Sequence, residues 1–324
     1  MPKVYITKRI AQEAVDLIAP YAEVDMWQGE EAATREELLS KIADIEGLVP
    51  WMDKVDSIVM DAAPKLKVIA NVAVGYDNID VEEASKRGIL VSNTPDVLTD
   101  TSADLAFALI LASARKLIEM VNLSFKGGWK KWSPMAMLGC DVHHKTLGII
   151  GLGRIGVAVA KRAKGFSMKV IYYDTIRRSD ESELGVEYIE DIPTLLGMSD
   201  FVSIHVPLTS ETKYLIGAKE LSFMKPTGIL VNTSRGPVVD QKALYEALKL
   251  KKIKGAAIDV TETEPIPPDD PLLTLDNIVI SPHIGSATEE TRVKMSILAA
   301  ENLVAGLKGE PMPNCVNYHL LGNK

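Results

Sequence analysis

Short apolar runs that alternate with longer helical patterns constrain the fold of this chain more than any other feature of its sequence. Six such runs lie between residues 146 and 281, and helical patterns separate most of them. Buried strands that alternate with helices are typical of strand–helix–strand units and a parallel sheet. Six parallel strands suit a doubly wound nucleotide-binding fold. The runs are TLGII, KVIYY, FVSIHV, GILVNT, GAAIDV and NIVIS, which begin at residues 146, 169, 201, 228, 255 and 277.

A second series of elements lies outside this region. A helix is predicted at residues 12–20, and a second one begins at Thr34, whose spacing to Glu37 fits a capping box. Helical periodicity runs over 101–120, and a long helix over 289–307 precedes a tail too short to be a domain. We therefore expect one α/β domain from residues 1–99 plus 286–324, with residues 100–285 inserted as a second domain. The further predicted strands are 3–7, 47–50, 66–72 and 89–93.

Composition excludes several classes of function. With 36 basic and 44 acidic residues the formal net charge is −8, which gives no electrostatic footprint for nucleic acid or an anionic membrane. No apolar run approaches the ~20 residues of a membrane-spanning helix, and the first residues do not resemble a signal peptide. Cys140 and Cys315 suit neither a disulfide framework nor a zinc site, and we interpret the pair His143–His144 as surface residues. We expect a cytoplasmic protein that binds no metal.

A glycine-rich turn follows the strand at 146–150 and opens a helix, a context that makes the GxGxxG pattern specific for a dinucleotide. The first glycine permits the tight turn, the second lets backbone approach a pyrophosphate, and the third lets helix and strand pack closely. N–H groups at the helix start then hold the phosphate charge. The predicted cofactor-binding residues of the turn are Gly151, Leu152, Gly153, Arg154, Ile155 and Gly156.

The choice between NAD and NADP depends on the residues at the end of the strand predicted over 169–173. Asp174 lies there, and a carboxylate in this position accepts hydrogen bonds from the adenosine ribose hydroxyls and repels a 2′-phosphate. NAD is therefore favoured. Arg177 and Arg178 follow closely and could pair with a phosphate, so the use of NADP stays open.

Charged and titratable residues follow the later strands, at the edge where ligands bind in open α/β sheets. One reaction that residues of these types could serve beside a dinucleotide is hydride transfer to a 2-keto acid, which needs a cation for the carboxylate. Arg235 can supply that cation by bidentate pairing. The reaction also needs a proton donor, and histidine suits that task because its ordinary pKa lies near neutrality. His205 and His283 both follow strands, and the pattern alone does not choose between them. Glu264 would orient His283.

The segments NVAVGYDNID, GLGRIG, HVPLTSET, LVNTSRG, DVTETEP and SPHIGSAT occur in this order between residues 71 and 288. Together they resemble the D-isomer-specific 2-hydroxyacid dehydrogenase family over essentially the whole chain. The resemblance implies a Rossmann-type doubly wound parallel sheet, which binds the dinucleotide, inserted into a flavodoxin-like α/β domain, which binds substrate. It also implies a homodimer formed through the nucleotide domain, with an arm in the region 101–140. The family's catalytic arginine, glutamate and histidine fall on Arg235, Glu264 and His283.

The resemblance assigns further site residues. Backbone N–H groups near Val74 and Gly75 are expected to hold the substrate carboxylate together with Arg235 and His283. Asp259 is expected at the nicotinamide end, where Gly285 also belongs to the cofactor site. The residues expected along the ribose and adenine path are Pro207, Thr212 and Thr233.

Two segments narrow the range of possible substrates. Trp51 and Met52 stand where phosphoglycerate dehydrogenases place a phosphate-binding arginine, which favours a small, uncharged substrate end. The Trp- and Met-rich segment 127–139 is similar to the arm of glyoxylate and hydroxypyruvate reductases, in which an apolar residue reaches the partner's active site. Trp132, Met135 and Met137 are candidates, with ordinary interface packing as the alternative. D-Lactate, D-glycerate, phosphoglycerate and phosphite dehydrogenases, and a non-enzymatic NAD-sensing protein, stay open.

Overall fold

The computed structural model describes residues 1–29, 31, 33–130 and 133–321 of the chain. The chain divides into two compact units, one formed by Met1–Leu98 with Ser286–Lys324 and the other by Thr99–Gly285. No helix within the described ranges is both long and apolar enough to cross a bilayer.

The elements are numbered in chain order. The strands are β1 (Lys3–Ile6), β2 (Glu23–Met26), β3 (Gly47–Val49), β4 (Val68–Ala70), β5 (Leu90–Ser92), β6 (Thr146–Ile150), β7 (Lys169–Tyr173), β8 (Val186–Tyr188), β9 (Phe201–Ile204), β10 (Ile229–Asn232), β11 (Gly255–Ile258) and β12 (Ile278–Ile280). The α-helices are α1 (Gln12–Ile18), α2 (Arg35–Lys41), α3 (Ser57–Ala62), α4 (Val81–Lys86), α5 (Thr99–Ala114), α6 (Leu117–Phe125), α7 (Arg154–Lys164), α8 (Glu181–Leu184), α9 (Ile192–Met198), α10 (Ala218–Phe223), α11 (Gln241–Lys249) and α12 (Glu289–Lys308).

The first unit is built on a five-stranded parallel sheet with the order β2-β1-β3-β4-β5, which is the flavodoxin-like order. Its core includes Leu48 and Ile69, which are fully buried between the sheet and its helices. The predicted capping box is confirmed, because Thr34 Oγ1 accepts the N–H of Glu37 and Glu37 Oε2 accepts the N–H of Thr34. Buried Asn317 fastens the C-terminal segment, since its amide donates to the carbonyl of Ile89.

The second unit contains a seven-stranded parallel sheet with the order β12-β11-β10-β9-β6-β7-β8. The first six of its strands in chain order are arranged as in the Rossmann fold, and the strand order reverses between β6 and β9. Ligands bind in open α/β sheets at the carboxyl ends of the strands beside such a reversal. The two parallel sheets confirm the predicted α/β class.

Three predictions of local structure were wrong. The second sheet has a seventh strand, β8, and the first has β2, where no strand was expected. The helix predicted over 101–120 is two helices, because Lys116 adopts a left-handed conformation with φ of 52° and ends the periodicity. The interpretation of His143 and His144 as surface residues agrees with their exposure, and both lie in a turn.

Candidate active site

The glycine-rich turn joins β6 to α7. Gly151 has a φ of 91°, which is accessible to glycine and strained for other residues, and a Cβ there would lie 2.9 Å from the carbonyl carbon of His205. A Cβ on Gly156 would lie 2.3 Å from the carbonyl oxygen of Gly151, so this position also requires glycine. Gly153 precedes α7 and has open space around it, and the helix begins at Arg154.

The carboxylate of Asp174 is fixed against this turn. Asp174 follows β7, and its Oδ2 accepts the N–H of Leu152 at 2.8 Å. Leu152 is itself buried, and Ile155 packs on the core of the same unit. The turn and the carboxylate predicted to bind the ribose are therefore held together by one hydrogen bond.

Other predicted cofactor residues lie in the turns after β9 and β10. Thr212 Oγ1 donates to the carbonyl of Pro207 at 2.6 Å and accepts the N–H of Thr209 at 2.8 Å, so it shapes this turn. Thr233 Oγ1 is buried without a hydrogen-bond partner among the described residues, which fits a hydroxyl that forms its hydrogen bond with a bound ligand. This unpaired hydroxyl, the open space at Gly153 and the start of α7 fit a bound dinucleotide.

Arg235 follows β10 and is positioned by a buried amide. The side chain of Asn232 accepts the N–H of Ser234 at 3.0 Å and donates to the carbonyl of Arg235 at 2.9 Å, which closes the turn. Arg235 Nη1 donates to the carbonyl of Ser234 at 2.9 Å. The next residue, Gly236, lies directly against the backbone of Thr261.

His283 and Glu264 form a direct pair, with Nδ1 of the imidazole 2.7 Å from Glu264 Oε2. A carboxylate at this distance accepts a hydrogen bond, so the proton on Nδ1 is assigned by the pairing and Nε2 is the nitrogen that can exchange a proton with a ligand. The other carboxylate oxygen of Glu264 accepts the N–H of Thr261 at 3.1 Å, which orients the glutamate.

The segment that carries His283 is held by Asp259. This carboxylate is 1% exposed and accepts the hydroxyl of Ser281 at 2.6 Å and the N–H groups of Ile284 and Gly285 at 2.9 and 2.8 Å. Burial raises the pKa of Asp259 above its ordinary value, and the three hydrogen bonds oppose that shift. The expected contact of Asp259 with the nicotinamide stays a prediction.

His205, the alternative left open by the sequence pattern, lies in a different environment. Its Nε2 is 2.8 Å from Ser203 Oγ, and burial lowers the pKa of His205 to about 4. The imidazole is therefore neutral at neutral pH and is a poor proton donor there. The paired and more accessible His283 suits that role better.

Val74 and Gly75 lie in the first unit, in the segment that follows β4. The amide of Asn93 donates to the carbonyl of Val74, and the amide of Asn71 donates to that of Gly75, both at 2.8 Å. The carbonyl of Ala73 accepts the N–H of Thr94 at 2.9 Å. Because C=O and N–H point in opposite directions across a trans peptide, the bonds to the carbonyls of Ala73 and Val74 also fix the directions of the Val74 and Gly75 N–H groups.

Several contacts of the candidate site were not predicted from the sequence. The N–H of Thr261 that orients Glu264, and the amides of Asn71 and Asn93, carry no motif of their own. Asn71, Asn232 and Thr261 do stand within segments quoted above, and the position of Asn232 at the end of an apolar strand was a further signal. Of the three candidates for an arm residue, Met135 and Met137 are exposed, and Trp132 lies outside the described residues.

Comparisons with known proteins identify similar sequences and structures. Residues 107–285 match the family model for the NAD-binding domain of D-isomer-specific 2-hydroxyacid dehydrogenases. A glyoxylate reductase of Korarchaeum cryptofilum is 54% identical, with 99% of this chain and 97% of the relative aligned, and one of Thermococcus litoralis is 53% identical over 99% and 98%. The crystal structure of the NADPH-dependent glyoxylate/hydroxypyruvate reductase of Sinorhizobium meliloti with NADP and malonate has a TM-score of 0.87 at 32% identity, covering 100% of this chain and 99% of that one.

The chain belongs to the D-isomer-specific 2-hydroxyacid dehydrogenase family, as its motifs predicted. It is accordingly an oxidoreductase, and its cofactor is a nicotinamide dinucleotide. A protein from Thermus thermophilus of known crystal structure is also similar, with a TM-score of 0.91 at 44% identity, covering 97% of this chain and 99% of that one.

Proposed function

We propose that this protein reduces glyoxylate, and the related 2-keto acid hydroxypyruvate, to the corresponding 2-hydroxy acid with NADH. The observation that carries the proposal is the contact of 2.7 Å between His283 Nδ1 and Glu264 Oε2, which leaves Nε2 to exchange a proton. The glyoxylate reductases of Korarchaeum cryptofilum and Thermococcus litoralis support the choice of substrate. The bound dihydronicotinamide supplies a hydride to the carbonyl carbon.

His283 completes the reduction at the oxygen. Its Nε2 donates a proton to the carbonyl oxygen as the carbon–oxygen double bond becomes a single bond, so the product is a neutral hydroxyl. Glu264 accepts the hydrogen bond from Nδ1 and keeps the ring oriented during the transfer. Arg235 binds the substrate carboxylate with its planar guanidinium and stabilises charge that develops on the oxygen.

Further substrate contacts are proposed for the segments that follow β3 and β4. The N–H groups of Val74 and Gly75 donate to the substrate carboxylate. Their directions are fixed by the hydrogen bonds to the preceding carbonyls, those of Ala73 and Val74. Trp51 follows β3, and the guanidinium of Arg292 lies 4.0 Å from the centre of its indole ring. This contact holds the bulky indole of Trp51 in place. A bulky apolar side chain at this position supports a substrate whose end is small.

The proposed cofactor is NAD rather than NADP. Asp174 accepts the ribose hydroxyls of the adenosine, and the N–H groups at the turn from Gly151 to Gly156 bind the pyrophosphate. Gly285 and Asp259 belong to the nicotinamide end, where Asp259 holds the backbone in shape. The ribose and adenine path includes Pro207, Thr212 and Thr233.

We further propose a homodimer that buries the surface of α6. This helix has no buried residue, and Phe125 is 89% exposed at its end. Leu117, Ile118 and Val121 of the same helix are also exposed, and several large apolar side chains exposed on one helix are typical of an interface. A mass in solution of twice the 35.3 kDa of one chain is expected from light scattering, and a mass of one chain would contradict the proposal.

The test of the proposed reaction is oxidation of NADH and NADPH with glyoxylate, hydroxypyruvate, pyruvate and 3-phosphohydroxypyruvate in parallel. Glyoxylate or hydroxypyruvate is expected to react fastest. His283→Ala should lower kcat by about 10²–10⁴, the contribution of a general acid, while NADH still binds. His143→Ala, at an exposed histidine of the same unit, is the matched control and should behave as the wild type. NADH binding without turnover of any keto acid would instead indicate a dinucleotide-sensing protein.

A further inference from the structure

The segment from Asp174 to Glu181, which follows β7 and ends at the first residue of α8, carries five charged side chains, and two of them contact the glycine-rich turn. Three are carboxylates, those of Asp174, Asp180 and Glu181, and two are the guanidiniums of Arg177 and Arg178. An arginine near this strand end is what accommodates the 2′-phosphate of NADP in Rossmann folds. Whether the two arginines are available to a phosphate therefore matters for the choice of cofactor.

Arg178 is fixed on the glycine-rich turn. Its Nη1 donates to the carbonyl of Leu152 at 3.3 Å, while Asp174 accepts the N–H of the same residue at 2.8 Å. Both polar backbone groups of Leu152 are thus held by the loop after β7. Arg178 and Asp174 consequently lie beside each other at the place where Asp174 is proposed to bind the ribose.

The guanidinium of Arg178 is paired with Asp180. Nε and Nη2 donate to the two carboxylate oxygens at 2.7 and 2.6 Å, a bidentate pair with the geometry that an arginine would use for a phosphate. Asp180 stands immediately before α8, where an aspartate usually caps backbone N–H groups, but its side chain makes no such bond. The pairing with Arg178 holds the pKa of Asp180 below its ordinary value.

Arg177 is paired elsewhere. Its Nε and Nη2 donate to Glu181 at 3.0 and 2.9 Å, and its guanidinium lies 5.2 Å from the ring centre of Tyr188. Glu181 also accepts the hydroxyl of Tyr172 at 2.5 Å, which anchors this pair to β7. Of the two arginines, Arg178 is the one in contact with the glycine-rich turn.

We propose that Asp180 is a specificity-determining residue, an internal counter-ion that occupies Arg178 and so keeps the site selective for a dinucleotide without a 2′-phosphate. Loss of the Asp180 charge leaves Arg178 beside the glycine-rich turn, with the edge of its guanidinium formed by Nε and Nη2 available to another anion. It also raises the net charge of the five charged side chains between Asp174 and Glu181 from −1 to zero. A phosphate then replaces the carboxylate as the partner of that edge. The inference rests on the proposed cofactor site.

The test is calorimetric titration of the full-length protein with NAD⁺ and NADP⁺. Asp180→Asn, which keeps the shape of the side chain and removes its charge, is expected to lower the ratio of the Kd for NADP⁺ to the Kd for NAD⁺ by about tenfold, the effect of about 1.4 kcal/mol. The double variant Asp180→Asn with Arg178→Ala should return the ratio to that of Arg178→Ala alone. Glu187→Gln is the matched control, because Glu187 pairs with Lys169 at 2.7 Å on β8, and its ratio should equal that of the wild type.

Each outcome separates the inference from the proposed function. An unchanged ratio in Asp180→Asn, with NAD⁺ still bound, overturns the role of Asp180 and leaves the proposed function intact. A gain that persists in the double variant shows a general charge effect and overturns the role of Arg178. Wild-type protein that binds neither dinucleotide overturns the cofactor site itself, and the inference with it.

Discussion

Replacement of Gly236 by alanine tests how the loop that carries Glu264 is held against the turn that carries Arg235. A Cβ on Gly236 would lie 1.9 Å from the carbonyl oxygen of Thr261 and 2.6 Å from the nitrogen of Glu262. Cβ contacts below 3.0 Å essentially do not occur, so the two backbones must separate by at least 1.1 Å, the difference between 3.0 and 1.9 Å. Both groups are backbone, and no side chain can rotate to relieve the clash.

The displacement reaches the pair proposed to be catalytic, Glu264 and His283, through two hydrogen bonds. The N–H of Thr261 contacts one carboxylate oxygen of Glu264 at 3.1 Å, and the other oxygen contacts His283 at 2.7 Å. A misplacement of about 1 Å can cost about 10²-fold in rate. We therefore expect Gly236→Ala to lower kcat by about 10²-fold and to lower the free energy of unfolding by about 1–3 kcal/mol, the usual cost of overpacking. The affinity for NADH should change far less.

The assay combines steady-state reduction of glyoxylate, urea denaturation and NADH titration. Gly197→Ala is the matched control, because Gly197 lies within α9 and its nearest neighbour would be 3.7 Å from the new Cβ. Alanine should stabilise that helix by about 0.5–1 kcal/mol and leave kcat unchanged. If Gly236→Ala retains the wild-type kcat, the contact does not position Glu264 and the reasoning is refuted.

Two further perturbations address the core and the proposed interface. Burial lowers the pKa of His205 in the folded protein to about 4, whereas the ordinary pKa of histidine is 6.5. The unfolded chain therefore takes up the proton at a higher pH than the folded protein does, and His205 lowers the free energy of unfolding as the pH falls from about 6.5 to about 4. His205→Gln should reduce the loss of unfolding free energy between pH 7 and pH 4 by about 2–3 kcal/mol in urea titrations, and identical pH profiles would contradict this. Phe125→Ser should shift the mass measured by light scattering towards the 35.3 kDa of one chain. Leu250→Ser, at an exposed leucine outside the arm, is the control and should leave the mass unchanged. A mass unaffected by Phe125→Ser would exclude α6 from the interface.

The strands that sequence predicted best are those with both faces buried. β6 and β7 were predicted at their observed bounds, because a buried parallel strand is a continuous apolar run. β2 and β8 were missed because they are short edge strands, partly exposed and rich in charged residues. Their pairing depends on a neighbouring strand that is distant in sequence, as β2 depends on β1.

The residues of the candidate site also differ in how far the sequence predicted them. Arg235, Glu264 and His283 stand in motifs at strand ends, so their types and order were readable. The contact of Gly236 with Thr261 and that of Arg178 with Leu152 join segments 25 and 26 residues apart. Such contacts depend on how two irregular loops pack, and no periodicity or spacing encodes that packing.

The position of His283 follows from the sheet rather than from its own loop. His283 has a φ of 53°, a left-handed conformation that costs of order 1–3 kcal/mol for a residue with a side chain. Its N–H donates to the carbonyl of Asp259 at 2.9 Å, and the side chain of Asp259 accepts the next two N–H groups, those of Ile284 and Gly285. Asp259 directly follows β11 and is almost fully buried, so these three bonds are shielded from water and offset the strain. The imidazole is consequently oriented by the folded core of this unit before any ligand binds, and Glu264 needs only to fix its rotation.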